Sequence, residues 1–291
     1  MAERKTIYID QKLGRGAENS CYVSEEADGS KSVFKVPTWF GRLWQTQGRE
    51  FLERCSTAIQ SLPIKALQAQ IHENIELVST HRFKIRKADT VIEQEYVGDL
   101  EDKTLDYGDL LDPESGPEIM ETLMEILHKA EEIKESEQLG LDLYGGAIIP
   151  EMLGGIFRRI TLLILDRIPG VGEKIDGVRG QVRNTILQDG EIVLTDNGLF
   201  DLSKSGKIRR LVLTAYNICI AGSIRLLERV NEKHQQTIDP ARIKQIPYSG
   251  SKFEKWLGEF LLETVMLPLY ERHENKSRTN TQALSNTLLI S

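Results

Sequence analysis

Apolar and polar residues alternate from the start of the chain. Ile7-Tyr8-Ile9 reads as a strand, a glycine turn follows at Gly14 and Gly16, and Cys21-Tyr22-Val23 leads through Asp28-Gly29 to Ser32-Val33-Phe34-Lys35-Val36. Period-two patterning marks half-buried strands, and turns this short join antiparallel neighbours. The spacing therefore predicts an antiparallel meander over residues 6–37. From Arg49 to Leu62 the apolar positions Phe51, Leu52, Cys55, Ala58, Ile59 and Leu62 recur at helical spacing, and Pro63 closes the run. Strand patterning returns at Ile75–Val78, His81–Arg86 and Thr90–Val97. The first hundred residues thus read as an antiparallel sheet of roughly five strands carrying one helix.

After Gly98 the pattern changes. Acidic and turn-forming residues fill Asp99–Glu118, and the rest of the chain is mostly helical: Ile119–Ile133, Arg209–Val230 and Phe253–Tyr270 each gather their apolar residues on one face. Between them, Thr185-Ile186-Leu187 and Ile192-Val193-Leu194 flank Asp189-Gly190 as a hairpin. Glu274–Asn286 is rich in Ser, Thr and Asn and poor in apolar residues, which predicts a loose tail. No repeat at solenoid period occurs. The chain therefore divides into an amino-terminal unit over 1–97, a helical unit over 98–273 and a tail over 274–291, an α+β chain in two lobes.

Composition narrows the function. The 291 residues carry a formal charge of −7, which argues against a broad grip on nucleic-acid phosphates. Cys21, Cys55 and Cys219 are odd in number and far apart, so neither a disulfide framework nor a zinc pair can be written, and a reducing compartment is expected. No apolar signal core opens the chain, and the apolar run Ile160–Ile164 is too short to span a bilayer. The expectation is a soluble cytoplasmic protein without a membrane span.

Four short motifs carry the candidate chemistry. Leu13-Gly14-Arg15-Gly16-Ala17 lies between strands, where glycine lets backbone amides approach phosphate closely. Lys35 ends an apolar strand, and Glu50 follows on the next helix as its candidate partner, with Glu53 one turn later as the rival. Then come Val91-Ile92-Glu93-Gln94-Glu95-Tyr96-Val97-Gly98 and, later, the run Asn184–Gly198 with Asp196-Asn197-Gly198 at its end. Together these resemble the amino lobe, hinge and metal-binding hairpin of the protein-kinase-like superfamily, over most of Leu13–Leu199. The resemblance implies a two-lobed fold and transfer of the γ-phosphoryl group of ATP to a hydroxyl. It implies phosphate coverage by Gly14 and Gly16, a phosphate grip by Lys35 oriented by Glu50, adenine held by the hinge at Glu95 and Val97, and Mg2+ held by Asn184 and Asp196.

The chain also departs from that pattern. Asn19 stands where the loop's third glycine would fall, Cys21 where valine is usual, and Asn197 where D-F-G has phenylalanine. The position at which the family spacing puts the catalytic aspartate is Arg179, which cannot act as a base. Two aspartates are candidates instead. In Leu139-Gly140-Leu141-Asp142-Leu143, Asp142 matches the aspartate of H-R-D-L, which makes Tyr144–Arg183 an insertion in the catalytic loop; Asp176 is nearer Asn184 but lacks matching neighbours. The third option is that no base is present and the chain is a pseudokinase, a nucleotide-binding or interaction module.

Other features point elsewhere or nowhere. Only Leu199–Lys207 separates the metal motif from the next helix, and no A-P-E sequence occurs there. This short segment resembles the aminoglycoside and choline kinase branch and favours a small-molecule acceptor over a protein; Asp99, Glu101, Asp102, Asp106 and Asp109 read first as a solvated acidic surface and second as suited to a cationic acceptor. The five histidines have no zinc spacing. Gly170-Val171-Gly172-Glu173-Lys174 lacks the Walker spacing and reads as a turn, Met152–Leu165 as a packed helix, and Trp39 and Trp44 as anchors for the helix after them.

Overall fold

The structure is a computed structural model and describes residues 5–9, 11–15, 19–25, 28–37, 48–67, 69–79, 87–97, 104–141, 185–195, 199–203, 206–272 and 274–275. It is an α+β protein. The amino-terminal part supplies β1 (Lys5–Ile9), β2 (Gln11–Arg15), β3 (Asn19–Glu25), β4 (Lys31–Pro37), α1 (Gly48–Gln60), β5 (Lys65–Ala66), β6 (Ala69–Ser79) and β7 (Lys87–Glu95). Then follow α2 (Tyr107–Leu111), α3 (Gly116–Glu137), β8 (Leu139–Leu141), β9 (Thr185–Gln188), β10 (Glu191–Leu194) and β11 (Leu199–Asp201). The chain continues through α4 (Lys207–Lys233), α5 (Pro240–Lys244) and α6 (Lys252–Leu261), which runs into a π-helical turn at Leu262–Met266.

The main sheet has six strands in the order β1-β6-β7-β4-β3-β2. Strands β2, β3 and β4 form a meander whose last two strands are the expected ones; its first is Gln11–Arg15, so Gly14, expected in a turn, is paired within a strand just past a register shift between Lys12 and Gly14. At the tight turn after β3, Asp28 Oδ1 accepts from the Ser30 N–H at 2.9 Å and its hydroxyl at 2.7 Å, and Gly29 takes φ 84°. Strand β1 does not join that meander. It crosses to the far edge and pairs parallel with β6, Ile7 opposite Leu77. This corrects the expectation of a wholly antiparallel sheet, and the reason is burial: from the far edge Ile7 and Ile9 enter one apolar cluster with Phe34, Val36, Ile75 and Val91. The expected strand at His81–Arg86 lies outside the described residues.

A larger cluster begins on α1 with Cys55, Ala58 and Ile59, continues with Leu62 just after it, and runs through α3, β10, β11, α4 and α6. Two small sheets are set into it. In one, β5 pairs parallel with β10 and β9 pairs antiparallel with β10; in the other, β8 pairs with β11. The β9–β10 turn is the one the sequence specifies, with Asp189 at φ 53° and Gly190 at φ 83°, the left-handed pair that a two-residue hairpin turn requires.

Helix α3 starts with Pro117 in its first turn and stops where Gln138 turns left-handed at φ 55°, its N–H donating to the Lys134 carbonyl. Its inner face holds a buried ion pair. Lys134 Nζ donates to Glu131 at 2.6 Å and to Asn217 Oδ1 at 3.1 Å, and Glu131 also accepts from the Ser249 N–H and hydroxyl at 3.1 and 3.0 Å. Charges that deep are tolerated because each has several partners. Helix α4 is the most apolar long helix among the described residues. Arg210–Lys233 is long and apolar enough to span a bilayer, as core helices also can be, and half of its most apolar window is buried. It packs along α6 at Gly258, where a Cβ would come within 2.3 Å of the Ile218 carbonyl oxygen, so no larger residue fits that crossing.

Candidate functional site

The described residues around the sequence-derived site meet where β4, α1, β8, β10 and β11 converge. Lys35 sits on β4 opposite Ile92, with Val33 opposite Gln94 on the same face of the sheet. Its side chain leaves the sheet and donates from Nζ to the carbonyl oxygen of Thr195 at 3.1 Å. Thr195 is buried, directly follows β10 and directly precedes Asp196. A lysine of the amino-terminal sheet is thereby tied to the residue that precedes Asp196 in the chain. Asp196 itself lies outside the described residues, as do Asn184, Asp142, Asp176, Arg179 and Gly16.

The flanks of those residues are firmly held. Thr185, which follows Asn184, pairs with Leu194 at the open end of the β9–β10 hairpin, is fully buried, and its carbonyl accepts from the Leu105 N–H at 3.2 Å. The Leu67 N–H donates to the Leu194 carbonyl at 3.0 Å on the other side. The segment before α2 and the segment after α1 thus grip the hairpin from both edges. Leu141, which precedes Asp142, stands opposite Leu199, which follows Gly198, in the β8–β11 ladder.

Helix α1 is tied to the same place. Cys55 is fully buried and takes a backbone hydrogen bond from Leu199; burial pushes its thiol up to about 12. Arg54 donates to the Glu137 carbonyl at 2.8 Å, joining α1 to the end of α3. The backbone of Glu50 lies in the first turn of α1. Its rival Glu53 is exposed and borders a cleft of about 550 Å3 between α1 and α3, shared with Lys129, Glu132 and Ser136. Gly14 lies in β2 opposite Cys21, just past the register shift. At the stretch expected to be a hinge, Glu95 ends β7 opposite Ser32, the Tyr96 N–H donates to the Lys31 carbonyl at 3.2 Å, and Val97 is half-buried.

Sequence reasoning passes over Gln94. Its side chain is buried, its amide nitrogen makes no hydrogen bond, and it shares a sheet face with Lys35. The one available signal is a polar residue in an otherwise apolar alternation after Ile92.

Among the described residues no three His, Cys, Asp or Glu side chains gather as a metal site. The Mg2+ expectation rests on Asn184 and Asp196, hard oxygen donors of the type the ion takes, adjoining Thr185 and Thr195 at one end of a rigid hairpin. The acids proposed for a cationic acceptor have a local task where they are described. Asp106 Oδ1 caps α2 by accepting from the Gly108 N–H at 2.8 Å, and the Asp106 N–H donates to Asp109 at 2.7 Å. Burial, with Asp106 and Glu274 nearby, holds the Asp109 carboxyl above its ordinary range. No family model matches the sequence, and no curated protein matches it.

Proposed function

We propose that the chain is an ATP- and Mg2+-dependent phosphotransferase on a two-lobed protein-kinase-like fold, acting on a hydroxyl acceptor, a small molecule in preference to a protein. The observation that carries this reading is the 3.1 Å hydrogen bond from Lys35 to the carbonyl of Thr195. It draws a strand lysine to the residue next to Asp196, as a site for a polyphosphate between cation and metal ligand needs. The Leu141–Leu199 pairing adds to it, because Asp142 and the Asp196-Asn197-Gly198 run adjoin that ladder at one end.

Each residue then has a simple task, since phosphoryl transfer is governed by positioning and charge neutralisation. Gly14 and Gly16 cover the phosphates, Lys35 holds them with Glu50 orienting it, and the backbone at Glu95 and Val97 receives the adenine. Asn184 and Asp196 would hold Mg2+, which when bound offsets phosphate charge. Asp142 accepts the proton of the acceptor hydroxyl as its oxygen bonds to the γ-phosphorus; the bond to the bridging oxygen breaks, and ADP leaves with that electron pair.

The test is thermal shift with ATP and Mg2+ on wild type, Lys35→Met and Asp196→Ala. Wild type shifts upward only with both present, and each variant loses most of the shift while keeping its own cooperative transition. No shift in wild type, or an equal shift in Asp196→Ala, overturns the nucleotide site. A metal-dependent shift without turnover on any acceptor supports a nucleotide-binding module instead.

A further inference from the structure

Helix α6 carries an uncovered aromatic ridge. Phe253, Trp256 and Phe260 recur at helical spacing on one side and are 64%, 55% and 46% exposed. Their rings adjoin, Phe253 to Trp256 at 5.9 Å between centroids and Trp256 stacked on Phe260 at 5.5 Å. The ridge is therefore a preformed apolar surface. The other side of α6 and the π-helical turn after it are clamped to α4: Glu254 accepts from Asn217 at 3.2 Å, Gly258 abuts Ile218, and Glu263 in the turn accepts from Arg225 at 2.8 Å and Arg229 at 2.6 Å. The two helices run parallel, and Leu211, on the same face of α4 as Ile218, extends past the start of α6 and is 68% exposed.

Charge indicates what covers this face. Lys252 and Lys255 on α6, and Lys207 and Arg210 in the first turn of α4, are exposed. Of the acids on these stretches, Glu254 is capped by Ser251 and bonded to Asn217, Glu263 is taken by the two arginines, and Glu259 faces Lys255 at 4.0 Å and offsets it, which leaves Lys252, Lys207 and Arg210 as the cations that set the charge of this face. A chain of net charge −7 thus carries net positive charge at the starts of the two helices on which the apolar rings and Leu211 are exposed. The area is small. Three rings about half exposed offer on the order of 300 Å2, from 150–250 Å2 per aromatic side chain, whereas a stable protein partner covers about 800 Å2 on each side. Rings on helices with basic starts match the boundary between lipid headgroups and acyl chains, where Trp and Phe partition and lysines meet anionic headgroups.

We infer that this face docks the protein on an anionic bilayer surface, with Phe253, Trp256 and Phe260 entering the headgroup boundary and Lys252, Lys207 and Arg210 on the lipid charges. The inference is independent of the nucleotide site. Flotation of the full chain with vesicles tests it, using phosphatidylcholine alone or mixed with phosphatidylserine. Wild type floats with the mixed vesicles, stays behind with the neutral ones and is released by high salt. Lys252→Glu with Lys207→Glu lowers partition more than tenfold, a lysine near such a surface being worth roughly fivefold. Phe253→Ser with Trp256→Ser abolishes flotation, and Trp256→Phe keeps it; unchanged circular-dichroism melting of these surface variants ties the loss to the ridge. Equal flotation on both vesicle types, or none on either, overturns the inference. So does a dimer in sedimentation equilibrium that Trp256→Ser dissociates, which would make a second copy the occupant.

Discussion

Leu141 and Leu199 face each other in an antiparallel ladder, so the residue after the first and the residues before the second adjoin the pairing at the same end. Asp142 and Asp196-Asn197-Gly198 are those residues. Under the phosphotransferase reading, Asp142→Asn lowers the single-turnover rate by roughly 100-fold or more, the scale of a positioned acid–base group, and leaves ATP affinity near wild type. Asp176→Asn stays close to wild type. The reverse ranking would move the base to the residues nearest Asn184.

The buried Lys134–Glu131 pair gives a stability prediction. Glu131→Ala leaves the Lys134 ammonium buried beside Asn217 without its countercharge, and removes the acceptor of both Ser249 donors. Breaking one side of such a pair costs about 3–5 kcal/mol, and replacing both sides by apolar residues costs less. In urea unfolding, Glu131→Leu with Lys134→Met is therefore more stable than Glu131→Ala. A double variant as unstable as the sum of the single ones would show that the two side chains act independently.

Alkaline pH weakens the fold through Cys55. Its thiol is raised from 9.0 to about 12 by burial, so between those values the unfolded chain releases a proton that the folded chain keeps. The folded state then binds more protons, and stability falls as pH rises. Tyr107 and Tyr248, both raised chiefly by burial, act in the same direction above pH 10. The urea midpoint of wild type declines from pH 9 upward. Cys55→Ala flattens that decline by up to about 1.4 kcal/mol per pH unit, the value of one proton; parallel declines in the two proteins would contradict the assignment.

Gln94 keeps a buried donor without an acceptor. Such a group costs about 1–3 kcal/mol, so removing it is favourable when its space stays filled. Gln94→Met raises the urea midpoint without changing the slope. A lower midpoint would mean that the amide oxygen contributes more than the orphaned nitrogen costs.

Local chemistry is readable in the sequence and distant pairing is not. Asp189-Gly190 declares its own turn, because few other residues accept positive φ at both central positions, and the helix ending near Glu137 is equally legible. Periodicity cannot say that β1 crosses to β6 or that Lys65–Ala66 lies beside Val193–Leu194, since those pairings are decided by which apolar surfaces meet after collapse. At the site, the contact of Lys35 with Thr195 is likewise long-range, and only a family resemblance points toward it. Lys134 is invisible as an ion-pair member because lysine at a helix end is ordinarily solvent-facing.

The π-helical turn at Leu262–Met266 divides what the apolar spacing presents as one helix from Phe253 to Tyr270. Each residue of an α-helix turns the chain by about 100°, and a wider turn shifts the phase of everything after it. Phe253, Trp256 and Phe260 precede the break, and Leu267 and Tyr270 follow it. Ahead of the turn the rings point to solvent; beyond it Leu267 is buried and Tyr270 lies 5.5 Å from the Tyr107 ring. Deleting Thr264 would restore an even winding and bring the two halves into step. The inner anchor would then rotate toward the surface or the outer ridge toward the core, so this single stretch sets how much of the helix faces outward.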